Sequence, residues 1–196
     1  MPKGNRKGSS FERKICKLLS KWWTDGERDD VFWRSSQSGG RATQRAKSGK
    51  KTFGSYGDIA AVDPIGQPLM QLFTIELKRG KHFGDPDDLL DFEGDNCARG
   101  FCKALTQAIR SHQEAGSQAW LLIGKRDCRV PLVFIPHKAY IALGNEMDDD
   151  VWQEVTAPPL VRYKLRLAKQ EVDFVAMPFE KFLRHFEPEH VKTVVS

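Results

Sequence analysis

Residues 73–80, FTIELKRG, have the pattern of a β-strand that is fixed in a hydrophobic core. Side chains alternate between the two faces of a strand. The hydrophobic residues share one face: Phe73, Ile75 and Leu77. Three large apolar side chains on one face predict that this face is buried, so Glu76 and Lys78 on the other face are held at a fixed position. A solvated strand face with an ordinary ion pair also explains these two charges, at under about 1 kcal/mol.

A second strand is predicted just upstream, at residues 58–62 with the sequence DIAAV, directly after Gly57. The segment DPIGQP that follows it is typical of a turn because it is rich in Pro and Gly. The main strand is predicted over Gln71–Lys78, so we expect the two strands to form a hairpin. This hairpin would bring Asp58 close to Glu76 and Lys78.

The rest of the chain predicts alternating helices and strands. An amphipathic helix is expected over Ser9–Trp23, because apolar residues recur there at spacings of three and four. A second helix is expected over Phe101–Ala115, ended by Gly116, with a short one after Pro136 and a last one from Phe179 to about His185. The other predicted strands are Val31–Arg34, Ala119–Ile123, Val130–Ile135, Leu160–Leu167 and Glu171–Ala176. This order predicts an α/β fold, with a mixed β-sheet flanked by helices.

The size and composition of the chain limit its class. With 196 residues and 40% hydrophobic residues, one globular domain over residues 1–196 is expected, with a core at about 9–135 and a C-terminal elaboration at about 136–196. No stretch approaches the roughly 20 apolar residues that span a bilayer, and the N-terminus does not resemble a secretory signal. A cytoplasmic location is therefore expected. The cysteines at 16, 97, 102 and 128 are expected to be free thiols, although a zinc site including Cys97 and Cys102 is an alternative.

Positive charge is unevenly distributed along the chain. The net charge is only +5, but residues 34–51 contain six Lys or Arg and no acid. Such clustering favours a polyanionic partner, although a solvated connector explains it as well. The acidic residues between 85 and 95 lack the spacing of a calcium loop and predict either a solvated loop or a lid over the basic groove. Trp22 and Trp23 could stack on bases, but their spacing is more typical of a core or an interface.

Asp58, Glu76 and Lys78 together predict a metal site that acts on phosphate. Two carboxylates that are brought together repel each other, and a hard divalent cation relieves this repulsion. Mg²⁺ fits, because it binds one or two protein carboxylates and keeps other positions for water and phosphate oxygens. A nearby lysine can stabilise the negative charge that develops on a phosphate during hydrolysis.

These residues resemble the PD-(D/E)xK nuclease motif. Gly57-Asp58, seventeen intervening residues and Glu76-Leu77-Lys78 follow its pattern, with Gly57 in place of the usual proline. Glu12 on an upstream helix matches the additional glutamate of many members. Together with the Ser/Gly-rich basic segment at 35–41, the set is most similar to archaeal-type Holliday junction resolvases, including relatives in phages and prophages. The resemblance covers roughly residues 9–123 and implies a restriction-endonuclease-like core with extra C-terminal strands and a helix.

The resemblance also implies roles for individual residues. Asp58, Glu76 and the backbone carbonyl of Leu77 would bind Mg²⁺, with Mn²⁺ as a possible substitute, and Glu12 would complete the metal shell directly or through water. Lys78 would orient the water that attacks the phosphate. Family members cut DNA to leave a 5′-phosphate and a 3′-hydroxyl. Simpler explanations exist for two of these residues: Asp58 as a turn residue, and Glu12 as part of a capping box with Ser9.

The resemblance and the positive charge together predict a DNA-binding surface. Contacts to phosphates would supply affinity without base specificity. The predicted contacts are Arg34, Ser35, Ser38, Arg41, Arg45, Lys47, Lys50, Lys51 and Gln107.

The sequence therefore predicts a Mg²⁺-dependent endonuclease that acts on junction DNA in recombination, in a prokaryotic or phage-infected host. Because a four-way junction has two-fold symmetry, a homodimer is expected. A restriction, repair or phage-packaging nuclease on linear or flap DNA, and a non-catalytic nucleic-acid-binding module, are the alternatives.

Overall fold

The computed structural model describes residues 3–35, 56–80, 83, 100–144, 160–167 and 170–196, with side chains from residue 8 onward. The acidic segment at 85–95 and most of the basic segment at 34–51 lie outside this part of the chain. The helices are α1 (Lys3–Trp23), α2 (Gln67–Leu72), α3 (Phe101–Ala115), α4 (His137–Gly144), α5 (Phe179–His185) and α6 (Pro188–Val195), with a 3₁₀ turn at Pro64–Gly66. The strands are β1 (Phe32–Arg34), β2 (Ile59–Ala61), β3 (Phe73–Arg79), β4 (Ala119–Lys125), β5 (Leu132–Pro136), β6 (Val161–Leu167) and β7 (Gln170–Pro178).

Five strands form a mixed sheet in the order β3-β4-β5-β7-β6. β3 and β4 are parallel, and the other neighbouring pairs are antiparallel. β1 and β2 form a separate antiparallel ribbon. The predicted α/β fold with a mixed sheet and flanking helices is confirmed, and it is consistent with the restriction-endonuclease-like architecture.

Two hydrophobic cores cover the two faces of the sheet. The larger one joins α1, α2, α4, α5 and α6 to one face and includes Ile75 and Leu77 of β3. The smaller one packs α3 against the other face, mainly through Phe101, Leu105, Phe134 and Phe174. Glu76 therefore points towards α3 rather than towards open solvent. β7 lies between β5 and β6, so residues beyond 136 form part of the same sheet.

The predicted hairpin between residues 58–62 and 71–78 is wrong. β2 pairs with β1, and the chain then passes through the 3₁₀ turn and α2 before it enters β3. Asp63 caps the turn by accepting a hydrogen bond from the Ile65 amide at 3.0 Å. On the inner side of α2, Leu69 and Leu72 are buried. This local packing takes Gln71 and Leu72 out of the predicted strand.

The predicted capping box at Ser9 is also wrong, because α1 begins six residues earlier, at Lys3. The helix at Phe101–Ala115 is confirmed, and Gly116 ends it in the left-handed conformation that glycine adopts readily (φ 72°). The helix at Phe179–His185 is confirmed too. Helix α6 was not predicted, although Pro188 at its first position and the Glu187–His190 capping box are recognisable start signals.

The structure shows the bonding state of three cysteines and the packing of Trp22 and Trp23. Cys16 and Cys128 are free thiols, whereas Cys102 is disulfide-bonded, so the expectation of a free thiol is wrong there. Trp22 donates to the Phe186 carbonyl at 2.9 Å and Trp23 to the Ile65 carbonyl at 2.7 Å. Both indole rings therefore take part in packing. No helix in the described ranges has the length and apolar character that a membrane crossing requires.

Candidate active site

Glu76 is a buried carboxylate held by helix α3. Its residue is 2% exposed, which excludes the solvated strand face as an explanation. Gln107 Nε2 donates to Glu76 Oε2 at 2.8 Å, and Ser111 Oγ donates to Glu76 Oε1 at 2.7 Å. Gln107 and Ser111 lie four residues apart, so they project from the same face of α3. Each carboxylate oxygen thus has a neutral donor that fixes its orientation.

Asp58 reaches β3 from the side. The Asp58 amide donates to the Ile75 carbonyl at 2.8 Å, and Asp58 Oδ2 accepts from the Leu77 amide at 2.8 Å. Within the five-stranded sheet β3 has only β4 as a neighbour, so its outer edge is available for these two bonds. The N–H and C=O of one strand residue point to the same side. The Leu77 carbonyl therefore points to the edge at which Asp58 lies.

Gly57 allows this close approach. A Cβ atom at position 57 would lie 2.6 Å from the Ile75 carbonyl oxygen and 3.1 Å from Thr74 Cγ2. Its φ of 75° is also in the left-handed region, where side chains are disfavoured. The glycine that replaces the usual proline of the motif is thus the residue that the contact between the ribbon and β3 requires.

Lys78 is shared by the two carboxylates. Its Nζ lies 3.2 Å from Glu76 Oε2 and 4.0 Å from Asp58 Oδ2. The structure therefore brings together the three residues that the sequence predicted to converge, although it does so without a β2–β3 ladder.

Burial is the main cause that raises the pKa of Asp58 to about 6, and repulsion from the Glu76 carboxylate raises it further. The Lys78 ammonium and the Leu77 amide act in the opposite direction without cancelling this effect. The ionised form of Asp58 is therefore disfavoured, mainly by burial and next by Glu76, and a bound cation would offset both effects.

The donor set fits a hard divalent cation. Two carboxylates and one backbone carbonyl at a strand edge are oxygen ligands, and Mg²⁺ needs only one or two carboxylates from a protein. No group of three or more His, Cys, Asp or Glu side chains suited to a metal occurs among the residues that the structure describes. Asp58 and Glu76 thus remain a pair within this part of the chain. Cys97, which the zinc alternative requires, lies outside the described residues, and Cys102 is disulfide-bonded.

Glu12 lies in the middle of α1 and forms an ion pair with Arg34. Arg34 Nη1 also donates to Ser9 Oγ at 3.1 Å. Cys16, one turn beyond Glu12, has its pKa raised to about 12, mainly by burial and next by the Glu12 carboxylate; Asp58 adds a weaker effect. Glu12 and Asp58 thus both act on Cys16, and the Glu12 carboxylate is neutralised by its ion pair with Arg34.

Three of the predicted DNA contacts have partners within the protein. Arg34 pairs with Glu12, and Gln107 binds Glu76. Ser35 is 4% exposed and donates through Oγ to the Gly57 carbonyl at 2.7 Å, so its hydroxyl supports the position of Asp58. The remaining predicted contacts lie outside the described residues: Ser38, Arg41, Arg45, Lys47, Lys50 and Lys51.

Sequence reasoning missed Ser111. Its spacing of four residues from Gln107 was the available signal, because this spacing places both side chains on one helix face. The distance along the chain between α3 and β3 hides their common partner, since nothing local relates Ser111 to Glu76.

A mixed α/β sheet whose edge strand carries a Glu-x-Lys pair beside an aspartate is the architecture of a PD-(D/E)xK nuclease. A family described as "phage putative PDDEXK endonuclease" matches residues 3–193, and the chain belongs to this family. The match covers nearly the whole chain, including the C-terminal strands and helices. No curated protein and no solved structure matches the chain.

Proposed function

We propose that the chain is a Mg²⁺-dependent endodeoxyribonuclease that hydrolyses phosphodiester bonds of branched DNA. The observation that carries this proposal is the convergence of the buried Glu76 and the partly buried Asp58 on the Lys78 ammonium, which lies 3.2 Å from Glu76 Oε2 and 4.0 Å from Asp58 Oδ2. Membership of the endonuclease family supports the same chemistry.

The carboxylates would hold the metal, together with the Leu77 carbonyl. When bound, Mg²⁺ supplies charge that polarises the scissile phosphate and lowers the pKa of the attacking water. A structural ion pair with Lys78 would need neither a second carboxylate nor the raised pKa of Asp58. Glu12 is a further candidate ligand once its ion pair with Arg34 opens.

Lys78 would act on the phosphate. Its ammonium lies beside both candidate ligands and places positive charge where negative charge grows on the phosphate oxygens in the transition state. It also provides donors that can orient the attacking water. Gln107 and Ser111 keep the Glu76 carboxylate in one orientation, so that little reorganisation is needed during reaction.

Branched DNA is proposed as the substrate because the motif set resembles that of junction resolvases. Symmetric cutting of a four-way junction requires two sites, which a homodimer would provide. Cleavage of branched DNA would then take place in the cytoplasm of a prokaryotic or phage-infected host. Linear duplex and flap DNA are the alternative substrates of the same chemistry.

The experiment incubates the full chain with a four-way junction, a linear duplex, a 5′ flap and single-stranded RNA, each with Mg²⁺ and separately with EDTA. Glu76→Ala and Lys78→Ala should each reduce cleavage at least about a hundredfold, because each removes a group that stabilises the transition state. Both should retain binding to branched DNA in EDTA. Glu114→Ala is the matched control, since Glu114 is half-exposed on α3 and forms a surface ion pair with Arg110.

Metal-dependent cleavage of the junction in preference to the other substrates supports the whole proposal. Preference for the linear duplex or the flap would overturn branched DNA as the substrate, but the proposed metal-dependent hydrolysis would stand. Binding without cleavage of any substrate overturns the enzyme and favours a binding module. If Glu76→Ala loses binding and folding together with cleavage, the residue is structural.

A further inference from the structure

Two aromatic side chains near Asp58 are exposed. Trp33 is 44% exposed and Tyr56 is 38% exposed, and every other Phe, Tyr or Trp in the described part of the chain is less exposed than these two. Tyr56 precedes Asp58 by two residues, and Trp33 lies on the strand that pairs with β2. The exposed aromatic surface is thus concentrated beside the candidate active site.

The β1–β2 register places Trp33 on the same face as Asp58. Phe32 and Arg34 face α1, since Phe32 is fully buried in the larger core and Arg34 pairs with Glu12. Trp33 therefore faces the opposite side. It is paired with Ala60.

The ladder continues beyond β2, because the Ser35 amide donates to the Asp58 carbonyl at 2.9 Å. Ile59 is 2% exposed and packs in the larger core, so alternation places Ala60 and Asp58 on the face of Trp33. Asp58 is the diagonal neighbour of Trp33, and such neighbours are about 7–8 Å apart. An indole ring can cover that distance.

We propose that Trp33 is a stacking platform for an unpaired base next to the phosphate that Asp58 and Glu76 would address. This inference rests on the proposed nuclease function and deepens it, because it names unpaired nucleotides as the feature that the site recognises. Bases inside a duplex are already stacked on their neighbours, so a surface indole can stack only on bases at a branch, a flap or a single strand. Such stacking is tolerant of sequence and contributes about 1–3 kcal/mol per base.

The charge around Trp33 suits a nucleic acid rather than a protein partner. Lys78 lies at the candidate site on the same edge, and the chain as a whole carries a net charge of +5. Phosphates flanking a stacked base would find this positive charge. A second copy of this basic chain would instead bring like charges together.

The experiment measures binding of the full chain in EDTA, by fluorescence anisotropy, to two DNAs of equal length. One carries a 5′ flap, and the other is fully paired; every duplex end in both DNAs is closed by a non-nucleotide linker, so that no loop base is unpaired. Trp33→Ala should weaken binding to the flap DNA roughly tenfold, which corresponds to the loss of one stacked base, and change binding to the closed duplex by less than about twofold. Trp33→Phe should retain most of the flap affinity, because phenylalanine still offers an aromatic face.

Ile141→Ala is the control for removal of an exposed apolar side chain. Ile141 is 43% exposed, close to the value for Trp33, and lies on α4, which packs mainly against β5, β7 and α6 rather than against the β1–β2 ribbon. It should leave binding to both DNAs unchanged. Thermal unfolding of each variant verifies that the fold is intact.

Equal losses on the two DNAs, or no loss on the flap DNA, would overturn the stacking role. A lower mass of Trp33→Ala in sedimentation, without selective loss of flap binding, would assign the surface to a contact between copies. Cleavage is not needed for this test. A wild-type chain that cleaves no substrate therefore refutes the nuclease, whereas flap-selective loss in Trp33→Ala reports on the platform alone.

Discussion

The main-chain amide of Leu77 donates a hydrogen bond to Oδ2 of Asp58 over 2.8 Å. This bond and the one from the Asp58 amide to the Ile75 carbonyl connect the start of the β1–β2 ribbon to the edge of β3. They place one candidate metal ligand at the backbone of the strand that carries the other. The geometry of the site therefore depends on how closely residues 57 and 58 approach β3.

Gly57→Ala should destabilise the protein and abolish cleavage. The added Cβ would lie 2.6 Å from the Ile75 carbonyl oxygen, in addition to the penalty of about 1 kcal/mol for a side chain in the left-handed region. We expect a total loss of roughly 2–4 kcal/mol in the free energy of unfolding, measured by urea denaturation.

Gly116→Ala is the control for this substitution. Its φ of 72° is nearly the same, but a Cβ there meets nothing within 4 Å. It should lose only about 1 kcal/mol and retain cleavage. Equal losses in the two variants would show that the approach to β3 tolerates a side chain.

Asp58→Asn should stabilise the metal-free protein at neutral pH. The pKa of Asp58 is raised from 3.8 to about 6, so between these values the folded chain holds a proton that the unfolded chain has lost. Stability should therefore fall as pH rises from about 4 to 6, by roughly 3 kcal/mol at most. In EDTA, the wild type should show this decline and Asp58→Asn should not.

With Mg²⁺ present, the wild type should become more stable than Asp58→Asn. Mg²⁺ should raise the melting temperature of the wild type at pH 7.5, because the ion binds the folded carboxylates, and should leave Asp58→Asn nearly unchanged. The same pH dependence of stability in both proteins would contradict the raised pKa of Asp58.

Ser111→Ala should reduce the cleavage rate about tenfold without changing DNA affinity in EDTA. The substitution leaves Glu76 Oε1 buried without its 2.7 Å donor, so the carboxylate loses its fixed orientation. It should also shift the Mg²⁺ dependence of cleavage to higher concentration, and Ser111→Thr should recover part of the rate.

Ser117→Ala is the matched control. Ser117 Oγ lies 2.7 Å from Thr74 Oγ1 on β3 and does not contact Glu76. It should reduce stability without moving the Mg²⁺ dependence. A parallel effect of the two serine substitutions would mean that Ser111 acts through stability alone.

Glu12→Gln tests whether Glu12 serves the metal. As a ligand, direct or through water, Glu12 would be needed most at low Mg²⁺, so cleavage should fall about tenfold there and recover as Mg²⁺ is raised. Arg34→Ala breaks the same ion pair but keeps the carboxylate, and it should not shift the Mg²⁺ midpoint upward. An identical shift in both variants would assign Glu12 to the ion pair only.

The sequence was informative where structure depends on local pattern. The apolar spacing and Gly116 predicted α3 with its bounds, and alternation along residues 73–78 placed Ile75 and Leu77 in the core. The fold class followed from the order of these elements. The sequence also revealed the motif formed by Asp58, Glu76 and Lys78, because its residues and the strands around them lie within one short segment.

The parts that failed depend on contacts between distant segments. Pairing of β2 with β1 rather than with β3 is decided by the 3₁₀ turn and α2, which bury Leu69 and Leu72. Ser111 acquires its role only when α3 packs across β3. The early start of α1 removed the capping explanation for Glu12. The added first turns contain Gly4, Asn5 and Gly8, which are poor helix formers, so neither propensity nor an apolar pattern in the sequence marks this start.

The Gly57–Asp58 contact has a second consequence, for solubility during folding. An open strand edge is a template on which a foreign chain can add a strand, which leads to aggregation. Asp58 forms hydrogen bonds with the Ile75 carbonyl and the Leu77 amide of β3. These two groups are therefore not available to pair with a foreign strand, and the carboxyl group of Asp58 covers this part of the edge. Variants at position 57 should therefore be prone to precipitate as well as inactive.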